Sequence, residues 1–135
     1  MPSRTSLWAP VGLYMALIFG LSSLEHPPDL PSAISDKAGH ALLYSGLGAL
    51  SARALARGWR RVSLASALGA IVLSALYGVT DELHQFFVPP RRPEALDLLA
   101  DTIGAAVGAG ALRSSARLAA AKRKAWGIIR GRHGL

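Results

Sequence analysis

Four stretches of this chain are apolar over a length that can cross a lipid bilayer, and this limits what it can fold into. A bilayer core asks for about 20 mainly apolar residues per helix, within a range of about 17–25. Residues 7–24 carry no charge and run up to Glu25-His26-Pro27-Pro28, which a helix does not cross easily. Residues 38–55 hold His40 and Tyr44 near one end and Arg53 near the other. Residues 62–80 are uncharged and continue through Asp81, Glu82 and His84 to Phe87, where Pro89-Pro90 stops them. Residues 95–112 are interrupted by Asp97 and Asp101. Charged residues make up only 17% of the chain, where a soluble domain carries about a quarter. No apolar–polar alternation suggests strands. The expected fold is therefore all-α: a polytopic membrane bundle of four transmembrane helices over residues 1–112, followed by a basic tail over 113–135. The first stretch has no Ala-x-Ala-like junction after it, so it is expected to be retained rather than cleaved as a signal peptide.

The charges sort by side. If all four stretches span, 12 of the 15 basic residues fall with the amino terminus, the connection around residues 53–61 and the tail; only Lys37, Arg91 and Arg92 fall on the other side. The positive-inside rule then places both termini in the cytoplasm. All 8 acids (Glu25, Asp29, Asp36, Asp81, Glu82, Glu94, Asp97 and Asp101) lie on the outer half, with every His except His133. The net charge of +7 suits an anionic membrane surface. The tail is expected to lie on the inner leaflet as an amphipathic or frayed helix. Trp8, Trp59 and Trp126 are expected at membrane interfaces. Nucleic acid is not an expected partner, since the tail shows no recognised binding fold and only Trp126 could stack a base. The lipid bilayer is.

Three short runs carry the candidate chemistry. Asp36, Lys37, His40 and Tyr44 open the second stretch, with Asp36, His40 and Tyr44 four apart on one helix face. Asp81, Glu82 and Gln85 end the third; Tyr77, Asp81 and either His84 or Gln85 share a face, and Arg91 and Arg92 follow. Asp97 and Asp101 share a stripe with Gly104 and Gly108, a spacing that lets helix backbones approach closely in lipid. Acids inside a spanning helix cost about 2.5–3.5 kcal/mol each at its centre, and less near its ends, so these need partners. One reading is a polar lock between helices, satisfied by Arg91 or Lys37. Another is a ligand site, because intramembrane ionisable residues are candidates for function.

The catalytic candidates are Glu82, His40 and Asp81. Adjacent carboxylates disfavour joint ionisation, which suits Glu82 to hold and donate a proton, and Arg91 could clamp an anion with its planar fork. No serine sits in a Gly-x-Ser-x-Gly elbow, and there are 0 Cys, which excludes a thiol nucleophile, a disulfide scaffold and a thiolate zinc site. His40 and His84 with the carboxylates offer zinc-type donors. No His-Glu-x-x-His is present, however, so neither a metal nor another cofactor is expected.

Asp36-Lys37-x-x-His40-x-x-x-Tyr44, then Asp81-Glu82-x-x-Gln85-x-Phe87-x-Pro89 with Arg91, then Asp97-x-x-x-Asp101-x-x-Gly104-x-x-x-Gly108, resemble in combination and order the signature of the VanZ-like family. The resemblance covers about residues 7–112. The chain departs from the family pattern at Asp101, where Asn is expected, and at Pro90, where Gly is expected in a Pro-Gly-Arg turn. The resemblance implies a small integral membrane protein of the cell envelope, from a family named for a member linked to low-level teicoplanin resistance. It implies no agreed activity. The expected function is action on, or recognition of, an envelope or lipid-linked ligand, by Asp36, Lys37, His40, Tyr44, Asp81, Glu82, Gln85, Arg91, Asp97 and Asp101. The alternatives are a membrane enzyme using Glu82 and His40 as acid–base groups, or a non-catalytic accessory subunit.

Overall fold

The computed structural model describes residues 2–25 and 35–132, with side chains described up to residue 130. The His26-Pro27-Pro28 breaker, Asp29 and His133 lie outside the described residues. Four helices follow in order: α1 (Arg4–Ser22), α2 (Asp36–Leu55), α3 (Leu64–Gln85) and α4 (Ala95–Arg132). The first three open in the same way. Ser3, Ser35 and Ser63 each take extended backbone angles and accept a hydrogen bond from an N–H three residues on, satisfying one of the unpaired donors of a first helical turn. Arg57, at φ 54°, and Gly58, at φ 142°, turn the chain out of α2.

Inter-helix contacts give the directions. Tyr14 packs on Gly46, and Arg53 reaches Ser6, so α1 and α2 are antiparallel. Tyr77 Oη donates to Met15 O at 2.6 Å, and His84 lies beside Ser23, so α1 and α3 run together. Lys37 meets Asp97 and His40 meets Asp101, with Gly104 against Ala41 and Gly108 against Ser45 one and two turns further on; α2 and α4 are parallel. The result is an up-down-up-down bundle. One end carries Asp36, Asp81, Glu82, Glu94, Asp97 and Asp101. The other carries Arg4, Arg53, Arg57, Arg60 and Arg61.

The packing is the reverse of a soluble bundle. The buried residues of α3 are Ala67, Ala70, Ser74, Gly78, Asp81, Glu82 and Gln85. Its exposed residues include Leu64, Leu68, Val72, Leu76, Val79 and Leu83, a stripe of large side chains along its whole length. On α4, Leu96, Leu99, Ile103 and Val107 form a second such stripe. Small and polar groups inside with large apolar groups outside suit lipid as solvent. The helices α1, α3 and α4 are long and apolar enough to cross a membrane. At 20 residues α2 matches them in length. It is less apolar because it is the central helix: Tyr44, Leu47, Gly48, Ser51, Ala52 and Ala54 are buried against its neighbours, so less of its surface is left for lipid. The chain is an all-helical membrane bundle.

The closest approach joins α2 and α4. A Cβ on Gly104 would strike the backbone of Ala41, one on Gly108 the backbone of Ser45, and one on Gly48 the backbone of Ala105. Side chains of α1, α2 and α3 form a cluster around Val11, Ile18, Tyr44 and Leu47. A second cluster, mainly of alanines, fills the space among α2, α3 and α4 around Ala52, Ala70 and Ala109.

Pro10, inside α1, lacks the N–H that would bond to the Ser6 carbonyl. The guanidinium of Arg53 donates to that carbonyl with two nitrogens, each at 3.4 Å, and its Cζ lies 4.9 Å from the Trp59 ring centre. A neighbouring helix thus engages the carbonyl that the proline frees, which gives Arg53, in the last turn of α2, a structural use. The polarity of the sequence changes at residue 113, but the helix does not end there. Helix α4 is continuous to Arg132, so the basic segment 113–132 prolongs a spanning helix instead of forming a separate element. Its alanines, arginines and lysines are strong helix formers. At 1.5 Å per residue, α4 extends about 57 Å, against a bilayer core of about 30 Å.

Candidate functional site

The acid-rich end of the bundle brings together side chains from three helices. At its rim, Lys37 Nζ donates to Glu94 Oε2 at 2.8 Å and to Asp97 Oδ1 at 2.7 Å, tying the start of α2 to the start of α4. Asp97 is buried and Glu94 is exposed. Asp36, in the same first turn of α2, is exposed. One turn deeper, His40 Nδ1 lies 3.0 Å from Asp101 Oδ1, and Asp101 is fully buried.

Helix α3 supplies the remaining carboxylates. Glu82 Oε2 accepts the backbone N–H of Glu94 at 2.8 Å. A carboxylate there captures a donor just ahead of α4 and sits near the positive end of that helix. Gln85 Nε2 makes a long contact of 3.4 Å to Asp81 Oδ2. Asp81, Glu82 and Gln85 are all buried. Gly78, one turn back, faces α4: a Cβ there would lie 3.2 Å from Asp101 Oδ2 and 3.5 Å from Tyr44 Cε1. Tyr44 is buried with its ring centre 6.5 Å from that of Tyr77.

The three deeper carboxylates share a pattern. Asp81, Glu82 and Asp101 each have one oxygen engaged, while Asp81 Oδ1, Glu82 Oε1 and Asp101 Oδ2 are buried without a partner among the described residues. The Tyr44 hydroxyl is also buried and unpartnered. Native buried polar atoms are nearly always satisfied, so four such atoms at one end of a small bundle call for an explanation.

His40, Glu82 and Asp101 offer one donor atom each within 4.8 Å of one another, and so do Asp36, His40 and Asp97. Sequence spacing left open whether His84 or Gln85 shares the face of Asp81. The structure puts Gln85 there. His84 turns toward α1, where its Nε2 lies 2.9 Å from Ser23 Oγ and its ring centre 4.3 Å from that of Phe19. His40 and His84 therefore do not meet. Among the described residues, the lysine or arginine that meets the carboxylates is Lys37. Arg91 and Arg92, half-exposed and exposed, make no side-chain hydrogen bond or ion pair with a described residue. Glu94 is the participant that sequence reasoning did not place in the site. Its position one turn before Asp97 was the available signal.

Comparison with curated proteins and with solved structures gives no match. Comparison with family models gives one, to VanZ/LLP1, over residues 7–117. The matched region runs from the first buried leucine of α1 past Gly108 on α4 and holds every residue of the polar end described above. The chain belongs to the VanZ/LLP1 family.

Proposed function

We propose that this protein recognises a cell-envelope or lipid-linked ligand with the polar end of α2, α3 and α4. The observation that carries the reading is the set of buried, half-satisfied carboxylates of Asp81, Glu82 and Asp101. Burying three carboxylates at a helix-bundle end is costly. A packing lock alone would be expected to close on itself, whereas this one leaves acceptors over. Asp36, Lys37, His40, Tyr44, Gln85 and Asp97 complete the site, and Arg91 stands beside it as an approach residue. A second reading, acid–base catalysis, draws on His40 and Glu82 lying in one donor group.

Native mass spectrometry of the detergent-purified protein tests the proposal. The expected result is a retained mass distinct from bulk phospholipid, present in the wild type and lost in Asp81→Asn, with Ser115→Ala at the exposed start of the basic segment as control. If only bulk phospholipid is retained, equally in both variants, recognition of an envelope ligand at this end is wrong.

The polar end lies on the outer side of a bacterial inner membrane, with both termini cytoplasmic. Support comes from the basic residues gathered at the opposite end of the bundle. A reporter active only in the periplasm should be silent when fused after residue 135 and active when inserted beside Pro93. The opposite pattern would move the polar end to the cytoplasmic face.

A further inference from the structure

We propose that His40, Glu82 and Asp101 bind one divalent transition-metal ion, of the zinc or manganese class, between α2, α3 and α4. The absence of a His-Glu-x-x-His spacing argued against a metal, but that spacing places two histidines on one helix. Here the donors come from three helices, and their donor atoms lie within 4.8 Å of one another.

Two further observations point to the ion. The first is the state of the carboxylates. Glu82 and Asp101 are 7% and 0% exposed, and each keeps one oxygen without a partner. The engaged oxygen of Glu82 is fixed by the backbone of Glu94 at 2.8 Å, which orients the free one as outer hydrogen bonds orient metal ligands. The second is the separation of His40 Nδ1 and Asp101 Oδ1, 3.0 Å. Two donors about 2.1 Å from one metal, at an angle near 90–109°, stand about 3.0–3.4 Å apart. That spacing also fits two neighbours in one coordination shell, in which Asp101 ligates through Oδ1, Oδ2 or both.

Charge selects a cation over other ligands. Lys37 is occupied by Glu94 and Asp97 at the rim. Among the described residues, the deeper group holds Asp81, Glu82 and Asp101 with only His40 to set against them. One nitrogen and two carboxylate oxygens leave room for water in a four- to six-coordinate ion, as zinc and manganese accept. A bound ion would also give this acid-rich end a positive point for a phosphate-bearing ligand. Metal binding does not depend on the envelope-ligand reading, because it is measured on purified protein without any ligand.

The test uses the full chain purified in detergent without a polyhistidine tag, stripped with EDTA and titrated with ZnCl2 or MnCl2. Retained metal after desalting and thermal unfolding are both read. The expected result is one equivalent retained, a rise in Tm with metal concentration, and an affinity loss of about tenfold or more in Asp101→Asn and His40→Ala. His84→Ala, at the same end but turned toward α1, should bind as the wild type does. Asp101→Asn preserves shape and guards against a result due to unfolding alone, which thermal unfolding in EDTA reports directly. Absence of saturable binding, or binding untouched by Asp101→Asn and His40→Ala, overturns the proposal, as does binding lost in His84→Ala. If metal binding fails while the retained envelope mass persists, only the metal is wrong; the reverse outcome removes the ligand reading and leaves the metal.

Discussion

Gly108→Leu should nearly abolish accumulation of the protein in the membrane, while Gly110→Leu, two residues further on, should leave it close to the wild-type level. The two sites differ in what a side chain would meet. At Gly110 there is nothing within 4 Å of a new Cβ. At Gly108 a Cβ would run into the carbonyl and Cα of Ser45, and at Gly104 into those of Ala41. Overpacking a core usually costs about 1–3 kcal/mol, and least where neighbouring side chains can rotate aside. A backbone carbonyl within a helix cannot, so separation of α2 from α4 is the only relief. Separation also pulls Lys37 from Asp97 and His40 from Asp101, which lie on the same interface. Gly108→Ala should show the same defect in graded form, as a lowered Tm in detergent. Equal membrane levels for Gly108→Leu and Gly110→Leu would show that the two helices do not meet at this stripe.

That stripe was legible in the sequence as a spacing, but its partner was not. Gly104 and Gly108 fit a helix–helix motif that arises readily by chance in a chain rich in alanine and glycine, and nothing in the spacing says which helix it faces. The four helices were legible because length and lack of charge are local properties. The start of α2 at Asp36 follows from Ser35, a capping residue that precedes the apolar stretch by several positions. The run of α4 to Arg132 was obscured because polarity changes at residue 113 while helix propensity does not. Within the polar end, same-helix spacing correctly grouped Asp36 with His40 and Asp97 with Asp101. It could not choose the cation: Lys37 lies 57 residues from Glu94 and 60 from Asp97, and only the parallel packing of α2 on α4 selects it over Arg91. His84 shows the same limit. Three residues after Asp81, it fits that face by spacing, yet its ring packs on Phe19 because α1 lies on that side of α3.

Replacing His40 by leucine should destabilise the EDTA-treated protein by about 3–5 kcal/mol, the range for stranding one partner of a buried ion pair. Asp101 is fully buried, and His40 is 12% exposed at its side chain; loss of the imidazole leaves both oxygens of Asp101 without a partner. Asp101→Leu should cost less than His40→Leu, because a stranded neutral imidazole is easier to bury than a stranded carboxylate. The double substitution should cost clearly less than the two singles added together, since an apolar pair of similar volume removes the stranded charge. Glu94→Gln supplies the contrast. Its carboxylate is 55% exposed, against 39% for Lys37, and an exposed pair of this kind is worth about 0–1 kcal/mol. The measurement is unfolding in detergent for all four variants, with EDTA present so that no metal contributes. Simple additivity of the two singles would mean that His40 and Asp101 do not act on one another. A double variant as stable as the wild type would show that the pair is not retained for stability, since leucines serve the fold as well. The carboxylate and imidazole would then be kept for what they bind.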